Sequence, residues 1–172
     1  MTDSLGHTAS YGYDTNRRLL NYVTNANNHR TQYIYDLSGR IIGLYDDIDK
    51  DGIHDSNEAG ASCIYDDRNC LTQISNGSTV YHFTYDDFGN ILTVSIGSNA
   101  TPLASYSYAA FNGKLMSTVY ADGTTVSNTY DSLNRVKTVS YNGVLAYTVT
   151  YDGNGNISSY TDCATGRPSA AA

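Results

Sequence analysis

Five carboxylates crowd into the segment Asp47-Ile48-Asp49-Lys50-Asp51-Gly52-Ile53-His54-Asp55-Ser56-Asn57-Glu58. The spacing is D-x-D-x-D-G-x-x-D-x-x-E, and its chemistry is that of a hard cation. Calcium takes six to eight oxygens in a flexible cage. Alternating Asp47, Asp49 and Asp51 can point inward while the chain wraps the ion, and Gly52 permits the sharp turn at position six. Ile53 would supply its backbone carbonyl, Asp55 a carboxylate or a bridging water, and Glu58 two oxygens. Glu58 is the only glutamate among 17 acidic residues, and it falls at the bidentate position. The plainer alternative is a solvated acidic hairpin tip. Spacing, glycine and terminal glutamate together predict a Ca2+ site. Without an ion the carboxylates repel one another, so bound metal is expected to order the loop and raise the melting temperature. The expected affinity is that of extracellular modules, roughly 10⁻⁴ to 10⁻³ M, or tighter.

Other reactive groups form weaker patterns. His7, His29, His54 and His82 are scattered without metal or triad spacing. No G-x-S-x-G elbow and no phosphate loop occurs. Cys63, Cys70 and Cys163 lack the C-x-x-C spacing of a metal site; Cys63 and Cys70 flank a turn and are read either as free thiols or as a cross-strand bridge. Asp36, Asp66, Asp86, Asp131 and Asp152 recur at one turn of a repeat and would line one rim of a sheet. Two strands apart is about 9.5 Å, the upper edge of the roughly 6.5–9.5 Å carboxyl separation of inverting glycosidases. With exposed tyrosines for stacking, this makes a carbohydrate-active module, binding glycans or hydrolysing them, the alternative to a non-catalytic one. It requires one carboxyl with a raised pKa, and the aspartates already have a turn to cap.

The elements that position these groups follow from a repeat. Tyr13, Tyr35, Tyr65, Tyr85, Tyr108, Tyr130 and Tyr151 are separated by 22, 30, 20, 23, 22 and 21 residues. The units read aromatic-x-Tyr-Asp-x-x-Gly-polar-aliphatic, as in Phe83-Thr84-Tyr85-Asp86-Asp87-Phe88-Gly89-Asn90-Ile91. The aspartate caps the turn and the glycine takes a left-handed conformation; Asn69 and Asn134 replace it where it is missing. Two units depart. The first has Arg17 at the glycine position, and in the fifth Asn112-Gly113 comes one residue late. Asn76-Gly77, Asp122-Gly123 and Asn142-Gly143 mark two-residue hairpin turns between the Tyr-Asp turns. Each unit is therefore two strands of roughly seven residues. Seven units predict an all-β antiparallel meander of about 14 strands, curled into a spiral or barrel-like sheet by accumulated twist, with the rings packed as its core. The long interval carries the acidic loop in place of a simple turn, so calcium would staple an enlarged hairpin.

Composition agrees. Seventeen tyrosines and 15 glycines accompany only three lysines, two glutamines and one glutamate in 172 residues. The net charge of −7 with no basic cluster beyond Arg17-Arg18 argues against nucleic-acid binding and a membrane-surface role. No apolar run is long enough to insert in a membrane as a helix, and the N-terminus lacks the pattern of a secretion signal, as in a mature part or a fragment of something longer.

The Tyr-Asp-x-x-Gly-Arg/Asn-Ile/Leu motif at this period, from about Tyr11 to Ile157, resembles the YD-repeat, or Rhs-repeat, family. The resemblance implies a long β-meander coiled into a hollow shell, which in bacterial Rhs proteins and insecticidal toxin complexes encloses a C-terminal toxin. It implies an exported or surface-associated bacterial protein, secreted or at the cell surface. The self-cleaving aspartyl-protease core region of many members is not recognisable. The acidic loop resembles an EF-hand loop but has His54 where a hydrophobic residue is expected, and strand-like flanks. It is closer to the aspartate-rich loops of thrombospondin type 3 repeats. The expected organisation is a lead-in over 1–10, a YD-repeat array over 11–160 with the calcium-loop insertion at 46–60, and a tail over 161–172 ending in the low-information stretch a cloning junction leaves. An open meander has two unpaired edges, so the partners expected are the remainder of a larger YD-repeat protein or a second copy, and glycans under the alternative reading.

Overall fold

The computed structural model describes residues 8–98, 101–163 and, by backbone alone, 167–170. His7 and parts of the lead-in and of the tail lie outside the described residues. The chain divides into two compact units, 1–82 and 83–172. The first carries β1 (Ser10–Tyr13), β2 (Leu20–Thr24), β3 (Arg30–Tyr35), β4 (Ile41–Asp46), β5 (Gly60–Tyr65), β6 (Leu71–Asn76) and most of β7 (Thr79–Tyr85). The second carries the end of β7, then β8 (Ile91–Ile96), β9 (Ala104–Tyr108), β10 (Leu115–Tyr120), β11 (Thr125–Tyr130), β12 (Val136–Tyr141), β13 (Val144–Tyr151), β14 (Ile157–Asp162) and β15 (Arg167–Ala170). Sheet neighbours run in chain order, so the expected antiparallel meander is what the chain forms. No helix occurs among the described residues, and none is long and apolar enough to cross a membrane. Among the described residues β1 and β15 each have one sheet neighbour. Pro168 lies in β15, an edge strand, where its missing N–H is tolerated.

The strands are shorter than the seven residues expected, mostly five or six. One reason is a register shift on the N-terminal side of the signature tyrosine, between Ile34 and Tyr35, Ile64 and Tyr65, Thr129 and Tyr130, and Thr150 and Tyr151. Such a bulge increases local twist and re-aims the following side chain. The ring then lies against the preceding strand, and its hydroxyl donates to the carbonyl of the aliphatic residue that opens that strand. The pairs are Tyr35 with Leu20, Tyr65 with Ile41, Tyr108 with Ile91, Tyr130 with Leu115 and Tyr151 with Val136, all at 2.8–2.9 Å.

A second latch runs forward. The residue after the left-handed turn residue sets its cation over the next signature ring: Arg40, after Gly39, over Tyr65 at 4.6 Å and Arg135, after Asn134, over Tyr151 at 4.2 Å. The residue before the signature tyrosine faces the other side of the sheet, and there hydroxyls pair across strands, as in Thr84–Thr93, Ser107–Ser117 and Thr129–Thr138.

The rings are not buried as fully as the expected core requires. The described residues hold one sheet, and a single sheet leaves its rings half-buried unless another layer faces them. Among the described residues the only buried apolar side chains are Tyr45, Val139 and the small Ala104.

The turns follow the expected logic, with corrections. Gly39, Gly89 and Gly155 have φ of 83–90°, and Asn69 and Asn134 replace glycine at 65° and 62°. In the fifth unit the left-handed residue is Gly113, one place late as expected. The first unit makes the same longer turn: Asp14 N–H donates to the Leu19 carbonyl, and the left-handed residue is Arg18 rather than Arg17. Asn142-Gly143 is a two-residue turn with both φ positive, as type I′ requires. At the sixth strand the turn is Gly77-Ser78, because Asn76 pairs with Thr79. Asp122-Gly123 belongs to a longer loop in which Gly123 N–H donates to the Tyr120 carbonyl and Tyr120 N–H to the Thr124 carbonyl.

Candidate metal centre

The acidic loop joins β4 to β5, two adjacent strands closed by a bond from Asp46 N–H to the Ala59 carbonyl at 2.8 Å. Two left-handed residues, Lys50 at φ 66° and Gly52 at φ 81°, bend the chain back on itself. Asx bonds tighten the first half: Asp49 Oδ1 accepts from Asp51 N–H at 3.1 Å, and Asp51 Oδ1 from Ile53 N–H at 2.7 Å. Glu58 closes the second half. Its Oε1 accepts from Ile48 N–H at 2.7 Å and its Oε2 from Asp55 N–H at 3.0 Å. His54, at the position where a hydrophobic residue was expected, stacks on the buried Tyr45 ring at 4.8 Å, and its Nε2 lies 3.1 Å from the Glu58 carbonyl oxygen.

Of the six predicted ligands, Asp47, Asp49 and Glu58 come together, one carboxylate oxygen of each lying within 4.8 Å of the others. The side chains of Asp51 and Asp55 are not part of that group, and both residues are exposed, as is Ile53. Asp47 is 1 % exposed and Glu58 7 %. Both Asp47 carboxylate oxygens are buried with no hydrogen-bond donor. A buried carboxylate lacking donors is costly unless a cation compensates it. The donors are oxygens throughout, so the residues fit a hard dication such as calcium.

Arg30, at the start of β3, was not anticipated. Its Nε stands 3.3 Å from Asp47 Oδ2, and its Nη1 donates to the Lys50 carbonyl at 2.8 Å. The Asp47 N–H in turn donates to the Arg30 carbonyl at 2.9 Å. No local pattern could have revealed it, because the pairing depends on the β3–β4 register.

The rim aspartates are turn caps. Each Oδ1 accepts two backbone N–H groups, from residues two and four further on, at 2.8–3.0 Å. Backbone donation from Arg40, Cys70, Arg135 and Asn156 holds Asp36, Asp66, Asp131 and Asp152 below the usual carboxylate range, and the Asn90 side-chain amide does so for Asp86. None of these five has the raised pKa a general acid needs. Cys63, Cys70 and Cys163 are free thiols.

No family profile matches the sequence, and no curated protein matches it. Solved structures do. The Tc holotoxin pore of Photorhabdus luminescens matches 95% of this chain with a TM-score of 0.70 and 17% identity. The TcdB2–TccC3–Cdc42 structure matches 90% with a TM-score of 0.68 and 11% identity. TcdB2–TccC3 without its hypervariable C-terminal region matches 91% with a TM-score of 0.69. The chain spans 9% of the length of each. At these identities the likeness is one of fold: the chain carries the β-meander found in chains of Tc toxin structures.

Proposed function

We propose that this chain is a non-catalytic structural module of a YD-repeat, Rhs-type protein, secreted or displayed by a bacterium, and that one calcium ion staples its β4–β5 hairpin. The observation that carries the calcium reading is the Asp47 carboxylate, buried without a donor beside Asp49 and Glu58. Asp47, Asp49 and Glu58 would supply the inner oxygens. Asp51, Asp55 and the Ile53 carbonyl complete the set if the exposed half of the loop closes over the ion. Calcium would neutralise the repulsion among these groups and fix a loop otherwise held by Asx bonds. The module reading is supported by the likeness to Tc toxin chains, by the latches between successive repeats, and by end strands that each have one sheet neighbour among the described residues. Those edges suit continuation of the meander in a larger shell-forming protein or association with a second copy.

Equilibrium dialysis of the full chain against calcium, with the ion counted by atomic emission, tests the site. One ion per chain is expected, with Asp47→Asn and Glu58→Gln each losing it. A folded wild type that retains no calcium at 10 mM total metal, about tenfold above the weakest dissociation constants of such loops, removes the calcium reading.

A further inference from the structure

We propose that Arg30 is a tethered counter-ion of the metal centre: its guanidinium balances Asp47 when calcium is absent and, staying in place when calcium arrives, weakens calcium binding. The inference rests on the calcium reading above. The side chains of Arg30 and Asp47 are 15% and 0% exposed, with Nε and Oδ2 3.3 Å apart. Neither Arg30 Nε nor either Asp47 oxygen makes a hydrogen bond. The pair is therefore held by charge rather than by a directed bond. A bare carboxylate at that depth would be strongly destabilising, so the loop without metal depends on this cation.

Arg30 cannot easily leave. Its Nη1 is bonded to the Lys50 carbonyl, its backbone carbonyl holds Asp47 N–H, and its guanidinium lies 3.6 Å over the Tyr22 ring. That ring is itself fixed, lying across Gly12 so closely that a Cβ there would come within 2.2 Å of it. Lys50, the cation inside the loop, turns away to donate to Asn28 Oδ1 at 2.6 Å. A dication entering between Asp47, Asp49 and Glu58 thus meets a fixed positive charge beside one of its ligands. In a site this shielded the repulsion is worth at least about tenfold in affinity.

The two roles open to Arg30 move the measurements in opposite directions. A merely positioning arginine, once replaced, loses both metal-free stability and calcium affinity. A counter-ion loses metal-free stability and gains affinity. The test is calorimetric calcium titration and thermal melting in chelator, on the full chain as wild type, Arg30→Gln and Arg30→Lys. Arg30→Gln is expected to melt lower in chelator and to bind calcium about tenfold more tightly; Arg30→Lys, which keeps the charge, should bind within about threefold of wild type. If Arg30→Gln is unfolded in chelator, calcium-driven folding followed by circular dichroism is expected, and failure to fold at saturating calcium overturns the proposal. Unchanged or weaker calcium affinity in Arg30→Gln, with wild type binding normally, overturns this inference alone. Absence of binding in wild type overturns the calcium reading and this inference with it.

Discussion

Replacing Tyr151 by Phe isolates one latch. The ring stays, and with it the Arg135 guanidinium 4.2 Å from its centroid; only the 2.9 Å bond to the Val136 carbonyl is lost. A hydrogen bond of this kind contributes about 0.5–1.5 kcal/mol net. The bond is only part-buried, so water can reach the vacated carbonyl, and the cost falls in the lower half, about 0.5–1 kcal/mol. For a chain of this length that is about 1–4 °C in Tm. The control is Tyr120→Phe, a tyrosine of the same compact unit at 45% exposure, for which a change under about 0.3 kcal/mol is expected. The assay is urea unfolding followed by far-ultraviolet circular dichroism, with the slope compared between variants because repeat arrays can lose cooperativity. Equal losses in the two variants, or none in Tyr151→Phe, would refute the latch.

Other outcomes follow from the turns and thiols. Gly89 has φ 85° with open space around its Cα, so Gly89→Ala should cost about 1 kcal/mol in unfolding free energy through backbone strain alone. Gly89→Asn should cost much less, since Asn69 and Asn134 already occupy the equivalent place. The rim aspartates have folded pKa values below their unfolded value of about 3.9, so the unfolded chain binds protons first. Their contribution is complete above that value and disappears as pH falls through the lower folded values. Melting temperature should decline on that acid side, with a shallower decline in Asp152→Asn. Ellman's reagent should modify Cys163 quickly and Cys63 slowly, because Cys163 is exposed while burial raises the Cys63 thiol pKa.

The turns were legible because their causes are local. In most units a capping aspartate and a residue that tolerates positive φ sit three positions apart; the late turn at Gly113, with Ala109 in the aspartate's place, was readable from Asn112-Gly113. The errors at Arg18 and at Gly77-Ser78 are shifts of one residue, decided by strand pairing rather than by the turn sequence. The tyrosine latches join residues 15 to 24 positions apart, beyond what the repeat pattern carries. The expected aromatic core fails for a related reason: alternation along a strand shows which residues share a face, but not whether anything covers that face. In the acidic loop the spacing picked out the two buried carboxylates, Asp47 and Glu58, and the exposed Asp49 that lies beside them. It was silent on Arg30, whose place depends on β3 lying beside β4.

The most direct test of the account is a pair of thermal melts, one in 10 mM calcium and one in excess chelator, each on wild type and Asp47→Asn. With a dissociation constant of roughly 10⁻⁴ to 10⁻³ M, mass action gives about 1.4–2.7 kcal/mol, or about 3–10 °C in wild type. Asp47→Asn should show almost none of that gain. Coincident wild-type melts in calcium and chelator, or an equal gain in Asp47→Asn, would contradict a calcium-stapled hairpin.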